Sequence, residues 1–118
     1  MKLGQVALSV ADLPRAVAFY RDVLGLPLLF EYPNLAFFDQ GGVRLMLSGP
    51  GDSGEQPESV LYYKVDDLPA TWKSLIEKSA KAEKEPHLIA KMPGHDLYMA
   101  FVRDADGRLV GIMSEVAN

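Results

Sequence analysis

The chain has 118 residues, 48% hydrophobic and 24% charged, with a net charge of −4 and no cysteine. Those values describe one globular domain with a sizeable core and exclude a disulfide scaffold, a thiolate metal site and a cysteine nucleophile. The acidic balance speaks against a nucleic-acid partner, and no window approaches the ~20 apolar residues of a membrane span, so a cytoplasmic protein is expected.

In chain order, residues 3–10 alternate as a strand. Val6, Leu8 and Val10 form an apolar face, while Gln5, Ala7 and Ser9 form a small, polar one. Asp12 is suited to cap a helix that Pro14 can open, and Ala16, Phe19, Tyr20 and Val23 recur at helical spacing up to a capping Gly25. Strands are expected at about 28–32, 35–39 and 43–48, the last two joined by the turn at Gln40-Gly41-Gly42. Of the adjacent Phe37 and Phe38, one must face the core, and the pattern leaves open which. Residues 49–59, GPGDSGEQPES, have the composition of a linker.

The pattern then returns. VADLP at 10–14 recurs as VDDLP at 65–69, an offset of 55 positions, after a second strand at 60–65. The following helix carries Leu68, Trp72, Leu75 and Ile76 on one stripe, with Trp72 expected in the core. Residues 77–85, EKSAKAEKE, read as a helix end and a solvated loop. Strands are expected at about 86–91, 95–103 and 108–114, with a tight turn at DADGR, residues 104–108. Both halves therefore read β-α-β-β-β: module one at 1–48, a linker at 49–59 and module two at 60–118. Two such modules sharing one sheet give an α+β fold.

With VADLPRAVAFYRDVLGL opening one module and FVRDADGRLVGIMSE closing the other, the sequence resembles the vicinal oxygen chelate superfamily over nearly its whole length. That group includes glyoxalases, bleomycin-resistance and fosfomycin-resistance proteins and extradiol dioxygenases. The resemblance implies paired βαβββ modules whose curled mixed sheet surrounds a cavity, and often a homodimer. It does not settle the activity, because the fold hosts both enzymes and plain binders.

The resemblance also implies four inward-facing metal-ligand positions on the first and last strands of the modules. They fall on Gln5, Met46, Val60 and Gly111. An amide, a thioether, an isopropyl group and a hydrogen make a poor set for Zn, Ni, Mn or Fe(II), so no metal and no other cofactor is expected there. The leading expectation is a binder of a small organic ligand, metal-independent and of the bleomycin-resistance type. Its wall would be Gln5, Met46, Tyr62, Lys64 and Tyr98, with Arg44 available to an anionic group and the catalytic residues, if any, unassigned. The alternative is a lyase, isomerase or dioxygenase with a displaced metal site. There His87 and His95 would meet across a hairpin, helped by Gln5 or Glu85. A third reading is a non-catalytic interaction domain.

Overall fold

The computed structural model describes residues 5–51 and 59–118. Leu3 and Gly4 of the first expected strand, and residues 52–58 of the expected linker, lie outside the described residues. The chain divides into two compact units, Met1–Glu58 and Ser59–Asn118.

In the first unit β1 (Gln5–Ser9) is followed by α1 (Leu13–Ala18), β2 (Leu28–Tyr32), β3 (Leu35–Gln40) and β4 (Val43–Ser48). In the second, β5 (Leu61–Lys64) is followed by α2 (Leu68–Glu77), β6 (Lys81–Met92), β7 (His95–Arg103) and β8 (Leu109–Ala117). The strands form two four-stranded mixed sheets, ordered β1-β4-β3-β2 and β5-β8-β7-β6. Each module thus builds its own sheet, where the sequence reading expected a shared one. The first strand of each module runs parallel to the last, and the other pairings are antiparallel.

The repeated pentapeptide has a repeated job. Asp12 caps α1, its Oδ1 accepting the Arg15 N–H at 3.2 Å, and Asp67 caps α2 in the same way with the Ala70 N–H at 3.0 Å. Both caps have extended backbone angles, as an N-cap requires. Just before them, the Val10 and Val65 amides donate to the carbonyls of Ser48 and Met113, each at 2.8 Å. Local sequence, capping and strand pairing therefore repeat together.

The helix side of each sheet holds its core. Leu8, Ala36, Phe38, Leu45 and Leu47 are buried with Ala16, Val17, Phe19 and Tyr20 in the first unit; Leu68, Leu75, Ala100, Val102, Val110 and Ile112 are buried in the second. Phe38 is therefore the core ring and Phe37 faces away. Beyond Ala18 the first helix widens into a π turn over Phe19–Val23, with the Leu24 amide bonded to the Phe19 carbonyl five residues back. Gly25, at φ +75°, ends it, and the Leu26 amide reaches back to the Tyr20 carbonyl at 2.9 Å.

Three expectations change. The segment read as a solvated loop belongs to β6 from Lys81 onward, a strand of twelve residues. Its Lys and Glu side chains misled the reading because an edge strand exposes its residues, and charge there blocks further pairing. Ile76, placed on the core stripe of α2, is 42% exposed at the last turn, and Trp72 is half-buried. No helix of the described residues is long and apolar enough to cross a membrane.

Candidate ligand-binding site

Strand parity decides which side chains each sheet offers to a ligand. The helix side is packed over most of each sheet, so the opposite, open face offers a ligand the most side chains. On the first sheet that face carries Gln5, Ala7 and Ser9 of β1, level with Arg44, Met46 and Ser48 of β4. Phe37 of β3 is paired with Met46, and Phe30 of β2 with Phe37. The Gln5 amide approaches the Met46 sulfur, Nε2 to Sδ 3.8 Å. The Phe37 ring is met edge-on by Phe30 and Tyr32, at 6.5 and 6.1 Å between centroids, and the Arg44 guanidinium lies 5.6 Å from its centre. This is an apolar platform with one cation beside it, suited to planar groups and to anionic ones. The aromatic part was missed in the sequence. The available signal was parity: Phe37 alternates with Asp39, whereas Phe38 alternates with the small Ala36.

On the second sheet the open face carries Tyr62 and Lys64 of β5, level with Gly111 and Met113 of β8. The Tyr62 ring lies directly over Gly111, in the space where a Cβ at position 111 would stand, and meets Phe101 edge-on at 6.0 Å. At the far end of β8, Glu115 joins Lys64 and His95. One carboxylate oxygen is 3.0 Å from the Lys64 ammonium and the other 3.0 Å from His95 Nε2. Glu115 was not singled out in the sequence, since nothing local shows that β8 runs three residues past Ser114.

The Lys64 hydrogen bond, more than its charge at a distance or that of His95, holds the Glu115 carboxyl below the ordinary glutamate value. A depressed folded value means that the group stabilises the fold above the unfolded pKa, and that this is lost as pH falls through the folded one. We expect carboxyl NMR to place the Glu115 midpoint below that of free glutamate and Lys64→Met to move it upward. An unchanged midpoint in that variant would remove Lys64 as the cause.

Two sequence-predicted residues sit elsewhere. Tyr98 pairs with Ser114 and alternates with the buried Ala100 and Val102, so it lies on the helix side of the sheet, away from Tyr62 and Lys64. His87 and His95 do not meet across the hairpin. The turn at 93–94 is two residues long, so His95 pairs with Met92 while His87 pairs with Met99. Their rungs are four residues apart along β7, about 13 Å. His87 Nδ1–H donates to the Glu85 carbonyl at 2.9 Å.

The donor set does not fit the metal that the fold family implies. Among the described residues no group of three or more His, Asp or Glu could hold a metal ion. Of the four inherited positions, Gln5 engages a thioether, Val60 and Gly111 carry no donor, and the space at Gly111 is taken by the Tyr62 ring. A carboxylate could not enter at position 111 without displacing that ring.

Comparison with known proteins agrees with this architecture. The model of the Glyoxalase/Bleomycin resistance protein/Dioxygenase superfamily matches residues 2–112, and the chain belongs to that superfamily. It is 32% identical to the uncharacterized protein YraH of Bacillus subtilis over 95% of this chain and 97% of that one. A 46-residue stretch, 39% of this chain and 33% of the other, is 35% identical to the metallothiol transferase FosB of Staphylococcus haemolyticus. Among solved structures, lactoylglutathione lyase from Agrobacterium tumefaciens is similar at 25% identity with a TM-score of 0.77, covering 96% of this chain and 92% of that one.

Proposed function

We propose that the protein binds a small, largely planar organic ligand without a metal, in the manner of the bleomycin-resistance branch of its superfamily. The observation that carries this reading is the loss of donor chemistry at Gln5, Met46, Val60 and Gly111, on sheets that still present aromatic and charged open faces. Each open face is a candidate by itself: Gln5, Met46 and Arg44 are the proposed contact residues on the first sheet, and Tyr62, Lys64 and His95 those on the second. Rings supply area, and the amide, ammonium and guanidinium orient the ligand. A homodimer is part of the proposal, supported by the edge strand β2, where Leu29, Phe30 and Tyr32 are 46%, 53% and 58% exposed.

A second reading, a metal-dependent enzyme with a displaced site, draws support from relatives named as a metallothiol transferase and a lactoylglutathione lyase. Its remaining local candidate is the His95–Glu115 pair, with His87 too distant along the sheet to join it.

Metal loading separates the two. Protein incubated with Zn, Ni, Mn or Fe(II), desalted and analysed for metal should retain close to none. A thermal-shift screen of planar organic compounds should then find stabilisers, since a ligand at a hundredfold excess over Kd adds ~2.7 kcal/mol. Retention of about one metal per chain, lost in His95→Ala, would overturn the binder in favour of the enzyme. An empty screen would leave a non-catalytic interaction domain. Sedimentation velocity on the same samples tests the dimer.

A further inference from the structure

The helix side of the second sheet is not covered to its end. α2 seals it through Leu68 and Leu75, which are 1% and 4% exposed. Next to the start of that helix, the rung formed by Tyr98 and Ser114 opens into a cavity of about 470 Å³. That volume falls in the range of small-molecule sites, roughly 300–1,000 Å³. Its walls are mostly apolar: Leu68 and Pro69 from the helix start, Val116 from β8 and the ring of Tyr98. Pro86 closes another side. It lies where the pairing of β6 with β7 shifts between Lys84 and His87, and this bulge on an edge strand accommodates a proline that a central strand would not.

Few polar groups face this space, and their character restricts what can enter. Ser114 is 2% exposed and lines the cavity. A hydroxyl on the cavity wall offers a ligand one donor and an acceptor. Asp66 and Asp67 also line the cavity. The Asp67 carboxylate is already engaged as the cap of α2, so the helix start offers little to an anion. Asp66 forms no ion pair among the described residues and adds a second negative charge. Ser114 and Glu115 are neighbours in one strand and point to opposite faces, so this cavity is separate from the Lys64–Glu115–His95 cluster.

We infer that this cavity is a second small-molecule site, one that takes a compact organic cation. Its apolar or aromatic body packs between Tyr98, Pro69 and Pro86. Its ammonium group meets the Asp66 carboxylate, with the Ser114 hydroxyl as a hydrogen-bond partner. The inference does not depend on what the open faces bind.

Three probes of one shape test it: benzylamine as cation, benzyl alcohol as neutral analogue and benzoate as anion. Amide NMR shifts should follow benzylamine at residues 66–68, 70, 98, 114 and 116, with weaker binding of the alcohol and none of benzoate. Asp66→Asn, a change at an exposed position that leaves the core intact, should weaken benzylamine by about fivefold, the size of one partly exposed ion pair. No response at these amides to millimolar benzylamine would overturn the site. Equal affinity in Asp66→Asn, or benzoate binding as well as benzylamine, would overturn its cation preference. Shifts confined to Tyr62, Lys64 and Met113 would assign the probe to the open face and likewise overturn the second site.

Discussion

Asp104→Asn is expected to lower folding stability by about 3–5 kcal/mol, the cost of stranding one member of a buried ion pair. Asp104 and Arg108 are 6% and 8% exposed. One carboxylate oxygen accepts the amides of Asp106 and Arg108, both at 2.9 Å, and the other accepts Arg108 Nη1 at 3.0 Å. The backbone of the same turn closes through Asp104 N–H to the Arg108 carbonyl at 2.9 Å. An asparagine can keep its oxygen on the two amides. Its NH₂ group must then face the guanidinium, donor against donor, beside a buried positive charge. The DADGR turn joins β7 to β8, the strands that present His95, Gly111 and Glu115, so the loss reaches the open face as well.

Urea unfolding would measure the effect. A loss under about 1 kcal/mol would mean that Arg108 finds water and that the pair is not sealed. The double variant Asp104→Asn/Arg108→Met should recover part of the loss, because the asparagine oxygen keeps the two amides and no charge is left stranded. Tyr63 supplies a second readout. Its phenol is pushed up to about 12, first by burial and then by the Asp104 carboxylate. In Asp104→Asn the phenol should titrate lower in an ultraviolet pH series, with the burial contribution remaining.

Phe38→Ala is the other large change, expected to cost about 3–5 kcal/mol. The ring is 0% exposed, stands opposite Leu45, also 0%, and lies 6.2 Å from the Tyr20 ring at its centroid. Truncation leaves a cavity that two flanking strands and a helix cannot close. For a domain of this size that is a large part of the total stability, about 5–15 kcal/mol. Phe37→Ala, one residue away, should cost far less and should instead weaken any ligand held by the open face of the first sheet. Equal losses in the two variants, measured by denaturant midpoint, would refute the assignment of faces.

The sequence by itself determined what depends on neighbours in the chain. The caps at Asp12 and Asp67, the alternation of Gln5 with Val6, the turn at 104–108 and the repeat of the two modules were all legible. Each rests on a local hydrogen bond or a short period. So was the family. Even the face of Tyr98 follows from its alternation with the small and apolar Ala100 and Val102; what was not readable was that α2 covers that face.

Only the tertiary structure decided what depends on register and on which element covers which. His87 and His95 are eight positions apart in a hairpin. Whether they meet depends on where the turn falls and how many bulges β6 carries, and neither leaves a clear mark in a charged edge strand. Glu115 became a site residue because β8 continues beyond Ser114, far enough to bring its carboxylate between Lys64 and His95. The Tyr62 ring occupies the place of the missing side chain at Gly111 because parallel pairing sets those residues side by side from 49 positions apart. Pairing energy between distant strands, not local propensity, selects these contacts, so they appear only once the sheet is assembled.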